Sequence, residues 1–305
     1  MARKLRVQYP GAIYHVMNRG NRREPIFRDD ADRQCFLTTL GEASAKTGWQ
    51  VHAYCLMLNH FHLVVETPGA NLVAGMKWFL GTYTGRFNRR HKLCGHLFSG
   101  RYKCLIVDGS GDGYLRTVCD YVHLNPVRAD LLGPEERLES YRWSSYPGYL
   151  QRPGRRPGWL RVDRLLGELG IGRDNAAGRR QLAQAMEGRR GKDWSSEWKV
   201  VRRGWFLGGA QWKESVLERM AGGLGKHHGG EERRETEEQK AQRLVAAELR
   251  QRRWTEADLG RRRKTDAEKV KVARRLRRET VMTLDWIAGR LQMGCRHTLA
   301  NCLKS

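Results

Sequence analysis

The sequence predicts an α+β fold: an antiparallel sheet with helices on one face, followed by a mostly α-helical C-terminal region. Two observations lead to this prediction. Over the first 125 residues, strand-like and helix-like patterns follow one another in the order strand, helix, strand, strand, helix, strand, helix. From about residue 160 onward, the apolar residues recur in short helical patterns that are separated by charged stretches.

The first half of the sheet comes from three strand-like segments. The segment AIYHVMN (12–18) predicts a strand, and Asp29 and Asp30 are N-cap residues for a helix that runs to about residue 45. The segments WQVHAYCLM (49–57) and HFHLVVE (60–66) predict two more strands. Only two residues separate these strands, so we expect them to form a hairpin.

The next elements are a second helix, a fourth strand and a third helix. Apolar residues recur with helical spacing between residues 71 and 91, which predicts a helix that packs on the sheet. Residues 104–107 predict a strand. A second helical stripe runs over residues 112–124, and Pro126 ends it because the residue before a proline disfavours the α conformation.

The remaining chain divides by composition. Residues 146–159 are rich in proline, glycine and arginine and predict a boundary, and GGLGKHHGG (222–230) predicts a flexible linker. Four tryptophans lie between these two segments: Trp194, Trp198, Trp205 and Trp212. A charged helix is expected over residues 231–253. We therefore expect a first domain over residues 1–150, an irregular or helical connector over 151–230, and a basic helical region over 231–305.

The charge of the chain predicts a polyanionic partner. Lysine and arginine number 57 against 33 acidic residues, which gives a net charge of +24 and a pI near 10.3. The excess is larger in the second half, where residues 151–305 carry 37 basic and 20 acidic side chains. Charge alone does not distinguish DNA from RNA or from an anionic membrane, so the motifs must decide.

Composition also predicts a cytoplasmic, nucleoid-associated protein. No apolar run approaches the ~20 residues of a membrane span, and no signal-type stretch follows Met1. The seven cysteines are odd in number, contain no C-x-x-C motif and are expected to be reduced. They are Cys35, Cys55, Cys94, Cys104, Cys119, Cys295 and Cys302.

His60 and His62 are candidates for a metal site. Because one residue separates them on a predicted strand, both side chains project from the same face, with their Cα atoms about 7 Å apart. Two imidazoles placed in this way can bind one divalent cation. The alternative is a pair of surface or hydrogen-bonded histidines, and the spacing does not exclude it.

Tyr121 and Asn125 are candidates for a nucleophile and a third metal ligand. They lie four residues apart on a predicted helix and therefore share one face. A phenol with a pKa of ~10 is a weak nucleophile toward an anionic phosphodiester unless a cation neutralises the phosphate. The amide oxygen of Asn125 suits a hard cation such as Mg²⁺ or Mn²⁺. The alternative for Tyr121 is a half-buried aromatic beside the apolar stripe.

Four segments together resemble a known family. They are HVMNRGNRREPIF (15–27), MLNHFHLVVE (57–66), LFSGRYK (97–103) and YVHLNPVRA (121–129). They are similar to segments of the REP-associated tyrosine transposases and of the related insertion-sequence transposases, and the resemblance spans about residues 5–150. It implies a ferredoxin-like HUH domain, with both histidines on a central strand and the tyrosine on a following helix.

The resemblance also implies a reaction. Tyr121 would attack a phosphate of single-stranded DNA at hairpin-forming repeats, forming a 5′-phosphotyrosine and freeing a 3′-hydroxyl. His60, His62 and Asn125 would bind Mg²⁺ or Mn²⁺. His123 lies in the same motif, but its position two residues after Tyr121 directs it away. Glu66 shares the face of the histidines and is a weaker ligand candidate.

Several basic residues near these motifs are candidates for phosphate contacts. The alternatives are a solvated charged face and, for the last turn of the second helix, cations that complement the helix dipole. The candidates are Arg19, Arg22, Arg23, Arg86, Arg89, Arg90, Arg101 and Lys103.

Residues 265–305 have the spacing of a helix-turn-helix. Helices are expected over 267–278, 284–291 and 295–303, with Arg296, His297 and Asn301 facing a DNA groove. Gln292 departs from this motif because it stands where the turn usually carries glycine. The alternative is a helical tail that packs on its own chain.

Three functions fit the sequence. The first is a metal-dependent enzyme that cleaves and rejoins single-stranded DNA at hairpin-forming repeats. The second is a DNA-binding regulator that keeps the fold without cleaving, and the third is a replication-initiation nuclease, which would require a helicase region. The intact His60, His62, Tyr121 and Asn125 favour the enzyme. The sequence leaves both a monomer and a homodimer open.

Overall fold

The fold is taken from a computed structural model, which describes residues 7–191, 198, 200, 201, 204–221 and 237–304. The strands are β1 (Ala12–Arg19), β2 (Gln50–Leu56), β3 (His60–Thr67), β4 (Lys103–Val107) and β5 (Phe206–Leu207). The helices are α1 (Asp30–Thr47), α2 (Leu72–His91), α3 (Tyr114–His123), α4 (Asn125–Arg128), α5 (Tyr146–Leu150), α6 (Asp163–Glu168), α7 (Ala176–Arg190), α8 (Ala210–Ala221), α9 (Glu237–Arg252), α10 (Glu256–Arg261), α11 (Ala267–Glu279), α12 (Leu284–Arg290) and α13 (Arg296–Lys304). Three short 3-10 helices span Asn21–Arg23, Leu138–Ser140 and Pro153–Arg155.

The sheet has the order β2-β3-β1-β4-β5. Strand β1 pairs antiparallel with both β3 and β4, and β2 pairs antiparallel with β3. This order, together with α1 after β1 and α2 after β3, is that of a ferredoxin-like unit, as predicted. Strand β5 is an addition that the sequence did not predict; it pairs parallel with β4 over two residues.

Helices α1 and α2 pack on one face of the sheet. The rings of Phe36 on α1 and Phe79 on α2 lie 4.8 Å apart between centroids, and both contact Phe61 on β3. The opposite face is covered by α3, whose Tyr121 ring contacts His15 and His62. The prediction of helices on one face is therefore correct for α1 and α2. Helix α3, which follows the last strand of the ferredoxin-like unit, lies on the other face.

The helix ends follow the local signals in the sequence. The carboxylate of Asp29 accepts a hydrogen bond from the Asp32 amide at 3.0 Å, and α1 ends at Gly48, which has a φ of 73°. Helix α3 ends at His123, and Pro126 lies in the first turn of the separate helix α4. This break places Asn125 at the start of α4.

The hydrophobic core continues past the boundary expected near residue 150. Leu165, Leu182 and Met186 of the connector are buried in the same core as the sheet. The backbone amide of Val51 on β2 donates to the carbonyl of Trp159 at 3.1 Å, so residues 159–161 run along the outer edge of the sheet. The connector and the first domain therefore share one core.

The C-terminal helices α9–α13 form a second core. This core adjoins the first through Lys46, near the end of α1, whose ammonium donates to the carbonyls of Arg277, Arg278 and Thr280 at the end of α11. Helix α9 falls within the charged helix expected over residues 231–253. The first six residues of that expected helix, and the linker expected at 222–230, lie outside the described residues. Among the described residues, no helix is both long enough and apolar enough to span a membrane.

Candidate functional site

His60 and His62 lie on the face of β3 that α3 covers. Their ring centroids are 5.2 Å apart and their planes are inclined at 79°. His62 is buried, and His60 is half-buried at the end of the strand, opposite Arg19 on β1. The alternation of side chains along β3 therefore places both imidazoles on one face, as the spacing predicted.

A third histidine, His15 on β1, belongs to the same cluster. It is buried, and its Nε2 atom lies 2.9 Å from Nδ1 of His62, with the two rings stacked at 5.2 Å between centroids. Nδ1 of His60 is likewise hydrogen-bonded, to Oδ1 of Asn59 at 2.8 Å. Each of the two candidate ligands thus has its Nδ1 atom engaged and its Nε2 atom available.

Burial keeps this cluster neutral at pH 7. It lowers the pKa of His15 to about 4, and burial followed by the charge of Arg19 lowers the pKa of His60 to about 4. The pKa of His62 is held well below its ordinary value, first by burial and then by neighbouring positive charge. Neutral imidazoles accept a metal ion without first losing a proton.

Tyr121 meets the histidines from α3. Its ring centroid lies 5.5 Å from that of His62 and 5.7 Å from that of His15, edge-on to both. Only 4% of its surface is exposed. Tyr121 therefore lies in contact with His62, as the family resemblance implied, and with His15, which the sequence did not single out.

Arg128 and Trp198 complete the surroundings of Tyr121. The guanidinium carbon of Arg128 lies 4.6 Å from the centroid of the Tyr121 ring and 4.8 Å from that of Trp198. The Tyr121 and Trp198 rings also contact each other at 5.7 Å. Sequence reasoning quoted Arg128 within a motif but gave it no role, and it placed Trp198 in an irregular connector.

Asn125 lies at the same site with an incomplete set of hydrogen bonds. It is 7% exposed, and its Oδ1 accepts from Nη1 of Arg128 at 3.4 Å. Its Nδ2 is buried and has no hydrogen-bond partner among the described residues. Because an amide can be turned over without changing its shape, the unpaired end can either ligate a cation through oxygen or donate to a phosphate.

These residues fit a divalent cation whose coordination sphere is completed by ligands from outside the protein. Within the part of the chain that the structure describes, no group of three or more His, Cys, Asp or Glu side chains is placed to hold a metal ion. Two imidazole nitrogens and one amide therefore remain as protein donors. Water and phosphate oxygens of a substrate would have to fill the other positions of a hard cation.

An open cleft of about 410 Å³ adjoins His15. His15, Met17 and Lys103 line it from the sheet, and Val201 and Gly204 line it from the connector. Lys103 is exposed. The cleft thus connects the histidine behind His62 with an exposed ammonium at the start of β4.

The remaining arginines predicted to bind DNA fall into two groups. Arg19, Arg22, Arg23, Arg89 and Arg101 are exposed. Two others are held in ion pairs between α1 and α2, on the face opposite the histidines, because acidic residues of α1 lie next to them. Arg86 binds Glu42 through both carboxylate oxygens at 2.9 Å, and Arg90 binds Asp29 and Asp32.

Two further motif residues have structural partners. Nε2 of His123 lies 2.8 Å from Oγ of Ser145, and the ring is directed away from Tyr121, as expected. Glu66 accepts hydrogen bonds from His52, Arg161 and Arg164. The carboxylate of Glu66 is therefore already satisfied and is not among the groups that face Tyr121.

Asp120 anchors the helix that carries Tyr121. Its carboxylate is fully buried and lies 2.9 Å from Nε of Arg189 on α7 and 3.7 Å from Nε of Arg116. This ion pair joins α3 to the connector directly behind Tyr121. The sequence gave no indication of it, because 69 positions separate Asp120 from Arg189.

Comparison with known proteins matches the domain that holds this site. Residues 8–125 match the family model described as Transposase IS200 like. The matched region contains His15, His60, His62, Tyr121 and Asn125, and it ends before Arg128 and Trp198.

One solved structure and no curated protein match the chain. The solved structure is described as the REP-associated tyrosine transposase bound to a REP hairpin. It shares 15% identity and has a TM-score of 0.41, and the match covers 53% of this chain and 92% of that chain. None of the curated proteins that were compared matches.

Proposed function

We propose that this protein is a divalent-metal-dependent transposase that cleaves and rejoins single-stranded DNA at hairpin-forming repeats. The observation that carries the proposal is the contact of the Tyr121 ring with the His62 imidazole, 5.5 Å between centroids, inside the region that matches the IS200-like transposase family. His62 in turn lies 5.2 Å from His60 between ring centroids. Transfer of a phosphodiester to tyrosine requires a nucleophile close to groups that could hold a cation.

The proposed reaction exchanges one phosphodiester for another. The Tyr121 hydroxyl oxygen loses its proton and bonds to phosphorus, the bond from phosphorus to the 3′-oxygen breaks, and the 3′-oxygen takes up a proton. The products are a 5′-phosphotyrosine and a free 3′-hydroxyl. Attack of a 3′-hydroxyl on the phosphotyrosine reverses these steps, rejoins DNA and returns the phenol, so neither water nor an energy source is consumed.

Each residue of the site has a proposed task. His60 and His62 would hold the cation through their Nε2 atoms, and His15 fixes the orientation of His62 from behind. A bound Mg²⁺ or Mn²⁺ supplies positive charge to the non-bridging phosphate oxygens. Asn125 would add the third protein donor through its unpaired amide.

The surroundings of Tyr121 favour rejoining over hydrolysis. The phenol is 4% exposed beneath Arg128 and Trp198, so water has little access to a phosphate bound to it. Arg128 is itself exposed and would bring its guanidinium to an incoming phosphate. A long-lived covalent intermediate is therefore expected.

The test is formation of a covalent adduct with 3′-end-labelled DNA. A pool of single-stranded hairpins with random flanks is incubated with the full chain and Mg²⁺ or Mn²⁺, and labelled protein is detected after denaturing electrophoresis. We expect an adduct with wild type and with Tyr114→Phe, a matched change on the same helix α3, and none with Tyr121→Phe or in EDTA. An equal adduct with Tyr121→Phe, or none with wild type, would reject the proposal.

A further inference from the structure

The turn between α12 and α13 is stabilised by a hydrogen bond from a buried side chain. Gln292 has a φ of 49°, in the left-handed region where glycine is usual. Its carbonyl accepts a hydrogen bond at 3.0 Å from the ammonium of Lys269, a fully buried residue of α11. Ile287 and Leu291 are buried beside the turn, so α11, α12 and α13 form one packed unit. The glutamine that departs from the motif at sequence level thus adopts the conformation that the turn needs.

The outer surface of this unit carries side chains that can read DNA bases. Arg296, His297 and Asn301 are all exposed on α13. Arginine can donate two hydrogen bonds to guanine, and asparagine can pair with adenine, in the major groove of B-form DNA. Among the described side chains of α13, Ala300 and Leu303 are partly buried, so no large apolar patch that would suggest a protein partner is exposed there.

A basic loop lies directly beside the turn. It consists of Arg261, the last residue of α10, and of Arg262, Arg263 and Lys264, which follow it toward α11. A Cβ atom added to Gly294 in the turn would lie 3.3 Å from Cδ of Lys264, and one added to Gly260 would lie 3.0 Å from Oε1 of Gln292. The loop therefore packs on the turn and adjoins the start of α13.

The side chains of this loop are exposed, and one of the four is engaged by neighbouring residues. Arg262 is engaged, because it pairs with Asp266 and lies 3.8 Å above the Trp254 ring. Arg261, Arg263 and Lys264 are exposed. The carboxylates nearby have other partners: Asp258 caps α10 and Glu256 pairs with Arg290.

We propose that α13 and the basic loop form a binding surface for double-stranded DNA, which in the substrate is the helical stem of the hairpin. Helix α13 would enter the major groove, and Arg261, Arg263 and Lys264 would contact the phosphates that border it. Lys46 joins the end of α11 to α1 of the sheet domain that carries Tyr121, so a bound stem would be held at a fixed place relative to Tyr121. The surface would select where the single strand beside the stem is cut.

This inference rests on the proposed function for its substrate, and its test requires no cleavage. The full chain is titrated in EDTA against a fluorescent hairpin with a blunt duplex stem, and binding is followed by anisotropy over a range of salt concentrations. The variant replaces Arg261, Arg263 and Lys264 with glutamine. The matched control replaces Arg152, Arg155 and Arg173, three exposed arginines of the connector, with glutamine.

We expect the loop variant to bind the stem roughly 10- to 100-fold more weakly than wild type. The slope of the logarithm of its binding constant against the logarithm of salt concentration should be less steep by about 2 to 3. The control should stay near wild type in both measurements. Arg296→Ala should reduce the preference among stem sequences. Equal binding by the loop variant and the control overturns the proposal. So does equal affinity for an RNA duplex of the same sequence, because the A-form major groove is too narrow for α13.

The outcomes separate this inference from the function on which it rests. Stem binding that depends on the loop, without a Tyr121 adduct, would support the surface and reject the transposase reaction. An adduct that forms normally, with stem binding independent of the loop, would support the reaction and reject the surface.

Discussion

Nε2 of His15 lies 2.9 Å from Nδ1 of His62, between two neighbouring strands of the sheet. The candidate metal ligand is therefore oriented by a residue that is not itself placed as a ligand. Partners of this kind fix the tautomer and direction of a ligating imidazole, and their loss costs about 10- to 100-fold in metal affinity.

The first prediction concerns this pair. His15→Phe keeps a ring in the buried position but removes the hydrogen bond, so we expect Mn²⁺ to bind roughly 10- to 100-fold more weakly, as measured by isothermal titration calorimetry. His123→Phe is the control, because it removes a buried histidine that bonds Ser145 instead. Unchanged affinity in His15→Phe would show that His62 needs no orienting partner.

The second prediction concerns Arg128. Arg128→Ala should slow adduct formation in a single turnover by roughly 10²- to 10³-fold, the cost typical of losing one charge-stabilising donor. Arg128→Lys keeps the charge but loses the planar guanidinium that lies over the rings of Tyr121 and Trp198, so an intermediate rate is expected. The control is Arg137→Ala, which removes an exposed arginine paired with Glu139. A wild-type rate in Arg128→Ala would exclude contact with the phosphate.

The third prediction concerns the anchor of α3. Asp120→Asn leaves Arg189 facing a neutral amide in a buried site, so unfolding by urea should show a loss of about 3 kcal/mol in the free energy of unfolding. Asp112→Asn, an exposed change just before α3, should lose little. Equal stability of the two variants would mean that the buried ion pair does not hold α3 to α7.

The fourth prediction concerns acid stability. Burial by itself would raise the pKa of the Glu66 carboxyl, but hydrogen bonds from His52 and Arg164 outweigh it and lower the pKa from 4.5 to about 2. Because the folded pKa is the lower one, Glu66 stabilises the fold above pH 4.5, and this contribution is lost as the pH falls toward 2.

The measurement for Glu66 is the difference in urea unfolding between wild type and Glu66→Gln from pH 7 to pH 2. The stability of the variant should depend less on pH between about 4.5 and 2. Glu139→Gln, a change at a partly exposed carboxylate, should leave the wild-type pH dependence in place. Parallel curves for wild type and Glu66→Gln would contradict the assignment.

Local patterns were sufficient for most of the fold and for part of the site. Strands β1 to β4 and helices α1 to α3 follow from apolar periodicity, which reports burial along a single element. The same periodicity put His60 and His62 on one face of β3, a relationship within one element. Helical spacing predicted one face for Tyr121 and Asn125 as well. The break at Leu124 instead places these two residues on the separate helices α3 and α4.

Relationships between distant elements were missed. The sequence gave no reason to single out His15, because its partner His62 is 47 residues away and is set by the register of β1 on β3. The sequence predicted Arg86 and Arg90 as candidates for phosphate contacts, whereas the packing of α1 on α2 pairs them with acidic residues. The boundary near residue 150 followed composition, whereas Leu182 and Met186 extend the core beyond it.

By itself, the sequence determined the periodicity of each element, the helix caps and the spacing of the candidate ligands, since these depend on neighbours within a few residues. Tertiary structure decided that Tyr121 contacts His62, that Arg128 lies over the rings of Tyr121 and Trp198, and that the basic loop adjoins the turn before α13. The physical reason is that burial and strand register, which bring these groups together, depend on the packing of the whole chain.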